Sequence, residues 1–166
     1  SEEKMRKLAY FDALTGLPNR QSLDDSLEEA VWFAAKEQQN LCIMYIDLDN
    51  FKQVNDRHGH QQGDEVLIEF ANLLTGSLRD SDHAFRFGGD EFCCLLIDSD
   101  HEANEQVAKR IQKATAEHTL FTQHQVSTSV GATTFRETDT QASLFKRADM
   151  ALYDAKHAGK NLFKAA

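Results

Sequence analysis

The chain has one proline and three cysteines in 166 residues. It has no apolar run near the roughly 20 residues that a membrane helix requires. The longest such runs, residues 41–46 among them, have six. The cysteines Cys42, Cys93 and Cys94 all lie in strand-like apolar stretches, and two are adjacent. That placement argues against a disulfide framework and fits a reducing cytoplasm. No CxxC pair or matching histidine spacing is present, so a structural zinc site is not expected. Positive charge is also short, with 18 Lys and Arg against 27 Asp and Glu, a formal net charge of −9. General nucleic-acid binding, which rests on a basic face, is therefore disfavoured. A nucleotide substrate is not excluded if metal ions and a few placed lysines meet its phosphates. The charged, helical N-terminus does not read as a signal peptide. The rest of the composition, 41% hydrophobic and 27% charged, is that of one globular domain with its own core. No internal repeat or low-complexity segment interrupts it.

Residues 1–11 read as a helix with Met5 and Leu8 on one side. It is either the end of a signalling helix from a longer protein or a plain surface cap. Residues 12–20, with Gly16, Pro18 and Asn19, form a turn in which Asn19 is a helix N-cap. An amphipathic helix over 20–36 follows, facing inward through Leu23, Leu27, Ala30, Val31 and Ala34, with Trp32 taken as packing. Residues 41–47 are apolar enough for a central strand covered on both faces. A short helix over 50–57, capped by Asp49, precedes a glycine-marked turn. The next helix starts near Gly63 and packs Leu67, Phe70, Ala71, Leu74 and Leu78 on the sheet. Asp64 near its N-terminus suits the helix dipole. Further helices over 100–117 and 141–158, a strand over 126–134 and a short strand over 162–164 complete the chain. Strands alternating with helices give an α/β layered domain, a sheet with packed helices. The antiparallel hairpin at 84–97 excludes a wholly parallel sheet.

The stretch Arg86-Phe87-Gly88-Gly89-Asp90-Glu91-Phe92 joins two strand-like runs through two glycines, a tight hairpin signal. Its tip carries two adjacent carboxylates, which repel unless a cation sits between them. A solvated acidic turn accounts for the same residues. The strand over 41–47 ends in Asp47-Leu48-Asp49, and side chains two apart share a face. Asp47, at the exit of a buried strand, needs hydration, pairing or a metal. In a layered fold Asp47, Asp90 and Glu91 can meet, and three carboxylates in a small volume call for divalent cations. Two Mg²⁺ ions held this way could clamp a triphosphate and activate an attacking hydroxyl.

Gly88-Gly89-Asp90-Glu91-Phe92, with further motifs in order from Asp12 to Asn161, resembles the GGDEF family of diguanylate cyclases across nearly the whole chain. The resemblance implies a palm-like βαββαβ core over residues 12–166. It also implies that GTP is condensed to cyclic di-GMP across a homodimer, with Mg²⁺ or Mn²⁺, two per site. Asp47 and Asp90 match the family's metal-ligating carboxylates, with the Leu48 carbonyl as a backbone ligand. Glu91 matches the position that binds metal or deprotonates the 3′-hydroxyl. Asn55 and Asp64 match the guanine-recognising pair, and Lys156 and Lys160 match the phosphate-binding cations. The family commonly has Arg where Lys160 stands, so charge survives but a bidentate fork does not. Phe51 and Lys52 match a turn whose backbone N–H groups contact phosphates. Arg79-x-x-Asp82 is similar to the family's inhibitory site for cyclic di-GMP, although an ion pair at the surface has the same spacing. An upstream sensory domain, with or without a membrane anchor, would supply the signal.

Three other readings remain open. The domain could be a catalytically silent receptor for cyclic di-GMP or GTP. It could be another nucleotidyl cyclase or a polymerase-like palm using the same metals. It could also be a dimerisation module, which leaves the carboxylates unexplained.

Overall fold

The structure, a computed structural model, describes residues 1–166. Its centre is β1, Leu41–Asp49, in a five-stranded sheet. The hairpin of β2, His83–Arg86, and β3, Glu91–Ile97, lies on one side of it. On the other side are β4, Ser127–Thr134, and β5, Phe163–Ala165. The order is β2-β3-β1-β4-β5; only the β4–β5 pair is parallel. Connections run βαββαβ, as the family resemblance implies.

The helices are α1 (Glu2–Tyr10), α2 (Arg20–Glu37), α3 (Phe51–His58), α4 (His60–Gly76), α5 (His101–Glu117), α6 (Thr119–Gln123) and α7 (Gln141–His157). Side chains alternate along β1, so its two faces feed two cores. Cys42, Met44, Ile46 and Leu48 join Val66, Phe70, Ile111 and Phe121 beneath α4, α5 and α6. Leu41, Ile43 and Tyr45 join Leu23, Leu27, Leu144 and Leu152 beneath α2 and α7. The double coverage expected for this strand is present. Period 2 then puts Asp47 and Asp49 on the α2–α7 face, where β1 runs out from under the helices.

Several boundaries differ from the sequence reading. β1 continues to Asp49. α4 begins at His60, not near Gly63, so Asp64 sits a full turn inside and does not face the helix's first N–H groups. Gly63 is buried because Asn55 lies against it: a Cβ there would come 1.8 Å from Asn55 Oδ1. Trp32 is 61% exposed, with the Lys36 ammonium over its ring 4.9 Å from the centroid, and does not pack in the core. Asn19 does cap α2, accepting from the Ser22 N–H. No helix is long and apolar enough to cross a membrane.

Candidate active site

The register of β1 against β3 pairs Asp47 with Glu91. The hairpin also delivers Asp90, whose carbonyl accepts from the Leu48 N–H at 3.2 Å. Asp47 and Asp90 are thus brought together. Burial, and then the Asp90 charge, push the Asp47 carboxyl up to about 7, against the pull of Lys156. Asp47 Oδ1 is buried without a hydrogen-bond partner. Its other oxygen accepts from Lys156 Nζ at 3.0 Å. Burial would lower the Lys156 ammonium, but Asp47 and Asp49 together raise it.

Glu91 does not complete the expected trio. Its carboxylate turns along the same face and accepts from Tyr45 Oη at 2.7 Å. No set of three or more His, Cys, Asp or Glu side chains converges as metal ligands. The residues nonetheless fit a divalent ion. A buried carboxylate oxygen without a partner beside a second carboxylate is what a hard cation relieves. Mg²⁺ commonly takes one or two carboxylates and completes its shell with water and substrate phosphates.

Asp49, assigned to a helix cap on sequence, does something else. The cap position of α3 is Asn50, held at φ 67°, with no side-chain cap bond. Asn50 instead gives its amide to the Gln125 carbonyl. The first N–H groups of α3, at Phe51 and Lys52, are left without a side-chain cap and present a helix N-terminus suited to phosphate. Asp49 is only 1% exposed. Its Oδ1 accepts from Ser129 Oγ at 2.7 Å and Lys156 Nζ at 3.3 Å. Its Oδ2 accepts from Ser127 Oγ at 2.7 Å and the Asn161 N–H at 2.9 Å. Lys160, exposed in the turn after α7, is in the left-handed region with Asn161.

Asn55 projects from α3 against Gly63, and its Oδ1 is buried and unpartnered. Asp64, next on α4, is exposed. Arg79 and Asp82 are closed on each other. Asp82 accepts from Arg79 Nε at 3.1 Å and Nη2 at 3.0 Å, and from the Ile97 N–H at 3.3 Å. The Asp82 carboxylate is therefore committed inside the fold, while the Arg79 side chain is 53% exposed. Both border a cleft of about 440 Å³ with Leu17, Ser22 and His83.

Sequence reasoning missed two supports of the hairpin. Arg86 donates to both Asp12 oxygens at 3.0 Å and to the Gly88 and Gly89 carbonyls. Tyr45 lies edge-on to Phe87, with ring centroids 5.2 Å apart, and also meets Phe145. Period 2 along β1 marks Tyr45 as a neighbour of Asp47, but nothing local pairs it with Glu91.

The family model for "Diguanylate cyclase, GGDEF domain" matches residues 9–162. The chain belongs to the GGDEF family. It is 43% identical over 162 residues to the diguanylate cyclase DgcS of Shewanella oneidensis, covering 98% of this chain and 54% of that protein. With the diguanylate cyclase DgcP of Pseudomonas aeruginosa, it shares 38% identity over 167 residues, covering 99% of this chain and 25% of that protein. The chain thus spans about half, or a quarter, of these relatives. Among solved structures, it superimposes on the coiled coil and GGDEF domain of DgcB from Caulobacter crescentus, a complex with c-di-GMP. That TM-score is 0.93 at 29% identity, covering 99% of this chain and 90% of the other.

Proposed function

We propose that this GGDEF domain is a diguanylate cyclase, joining two GTP molecules into cyclic di-GMP with loss of two pyrophosphates. The observation that carries the reading is the unpartnered, buried Asp47 Oδ1 beside Asp90, with Lys156 on the other oxygen. Asp47, Asp90 and the Leu48 carbonyl would hold Mg²⁺ or Mn²⁺, which neutralises triphosphate charge and acidifies the attacking hydroxyl.

The chain's own residues bind and orient. Asn55 Oδ1, with no partner of its own, accepts from the guanine edge, and Asp64 accepts beside it. The uncapped N–H groups at Phe51 and Lys52 and the Lys156 and Lys160 ammonium groups hold the phosphates. Each 3′-oxygen forms a bond to the α-phosphorus of the other GTP. The α–β bond breaks, and pyrophosphate departs with the electron pair. Glu91, oriented by Tyr45, receives the 3′-hydroxyl proton. One domain offers one such set, so two copies face each other in the working form. Residues 1–11, with Met5 and Leu8 exposed on α1, act as the end of a signalling helix that sets this geometry. Cyclic di-GMP would meet the half-exposed Arg79 guanidinium, which Asp82 orients through Nε and Nη2. The three buried free thiols support a reducing, cytoplasmic setting.

The test is conversion of GTP with Mg²⁺ at high protein concentration, with products separated by anion exchange. Cyclic di-GMP should form, and an Asp90→Ala/Glu91→Ala variant should form none. Absence of product from the unaltered chain, even when an N-terminal coiled coil enforces a dimer, would overturn the reading in favour of a silent receptor.

A further inference from the structure

Asp47 and Asp49 leave β1 on the same face and share one ammonium, Lys156, at 3.0 and 3.3 Å. Their remaining oxygen valences differ. Asp47 has a buried oxygen with nothing on it, whereas each Asp49 oxygen already accepts twice. A carboxylate so filled has no lone pair to offer a metal without losing a serine, a lysine or the turn after α7. Yet its partners are the elements that carry substrate-facing cations. Lys156 is on the last turn of α7, and Asn161 follows Lys160, both of the latter at positive φ (51° and 63°). That region is uncommon outside glycine, although asparagine enters it more readily than most, and the Lys160 N–H is tied back to the Ala155 carbonyl at 3.1 Å. Here the Asn161 N–H is held by Asp49 Oδ2 at 2.9 Å.

We infer that Asp49 is a positioning residue for the triphosphate and not a metal ligand: it holds Lys156 and the turn bearing Lys160 in place. When a cation takes Asp47, Lys156 gives up that contact, keeps Asp49, and stays aimed at the phosphates instead of collapsing into solvent. The two serines fix the carboxylate that does this. The inference rests on the cyclase reading for the identity of the triphosphate.

The experiment measures binding of 3′-deoxy-GTP, which lacks the attacking hydroxyl, by calorimetry across a Mg²⁺ series. Asp49→Asn should weaken the nucleotide about tenfold, the scale of one charge-assisted contact. The Mg²⁺ concentration for half-maximal binding should stay within about threefold, and on a Lys156→Ala/Lys160→Ala background Asp49→Asn should add less than about twofold. A metal ligand would behave differently: the Mg²⁺ requirement would rise steeply while affinity at saturating Mg²⁺ recovered. A purely structural residue would lower thermal stability and leave the affinity of folded protein unchanged. Either result overturns the inference. If Asp49→Asn does not fold, Ser127→Ala/Ser129→Ala keeps the charge and removes its two hydroxyl supports. The expected result is then a loss of several-fold that vanishes on the Lys156→Ala/Lys160→Ala background, and unchanged affinity overturns the inference. Failure of the cyclase reading shows in the unaltered chain, which would form no cyclic di-GMP from GTP or bind no 3′-deoxy-GTP; failure of the Asp49 inference shows only in the variants.

Discussion

Tyr45 and Glu91 are 46 positions apart in sequence and 2.7 Å apart at their oxygens. The phenol is buried against Phe87 and Phe145, so the hydrogen bond is protected from water and fixes where Glu91 points. Tyr45→Phe keeps the ring packing and removes only the donor. Loss of a hydrogen bond to a charged group costs about 1.5–3 kcal/mol where that group works, so kcat should fall about tenfold or more. The KM for GTP should change little, because the role proposed for Glu91 is on the hydroxyl and not on the triphosphate. Steady-state kinetics on purified protein checks this; an equal rise in KM would place Glu91 in substrate binding. Single residues were the least legible scale in the sequence. Asp47 stood out because a carboxylate at the end of an apolar run is costly by local rules alone. Asp49 looked like a cap because the residues next to it begin a helix. Its actual partners, Ser127, Ser129, Lys156 and Asn161, are at least 78 positions away and carry no local mark.

At the scale of elements, apolar periodicity located both cores, since β1 alternates between them and α4 and α7 carry clean inward stripes. It failed where glycine or a short segment misled. Gly63 reads as a helix start because glycine breaks helices, yet here it makes room for Asn55 inside α4. Residues 119–123 are too few to show a period, so α6 with its buried Phe121 is invisible. Gly131 has the same logic on β4. A Cβ there would lie 2.1 Å from the Leu152 nitrogen and 2.6 Å from the Ala148 carbonyl, both backbone atoms of α7. Backbone cannot swing aside, so Gly131→Ala must push α7 off the sheet. A loss of about 3 kcal/mol or more is expected in denaturant unfolding. A second element-level tie holds the start of α7: Arg147 donates to Asp139 and to the Thr133 hydroxyl and Thr134 carbonyl of β4. Burial opposes ionisation of Asp139, but Arg147, the Arg136 N–H and Ser143 outweigh it and hold the carboxyl down at about 2, from 3.8. A depressed carboxyl stabilises the fold above the unfolded pKa, and that contribution fades as pH drops from about 4 to about 2. Asp139→Asn should therefore cost about 2 kcal/mol at pH 7 and almost nothing near pH 2. Unfolding midpoints at the two pH values measure the difference; a constant gap would remove Asp139 as its source.

For the whole molecule, the governing quantity is charge. Each copy carries a formal −9 at pH 7, and the proposed reaction needs two copies face to face around two more polyanions. Mutual repulsion between like-charged domains is long-ranged at low salt. The screening length falls from about 30 Å at 0.01 M to about 8 Å at 0.15 M. Encounter of two acidic domains should thus become easier with added salt, even as individual phosphate contacts weaken. With GTP and Mg²⁺ saturating and protein dilute, the rate per chain should rise with protein concentration. It should also rise a few-fold between those two ionic strengths through the screening term. Fusing an N-terminal coiled coil replaces the encounter by a tether, so both dependences should flatten. A rate that falls with salt in the untethered protein would mean that local attraction outweighs net charge. The exposed cations Lys52 and Lys160 would then be the groups to neutralise next, since the proposed function assigns them to the phosphates.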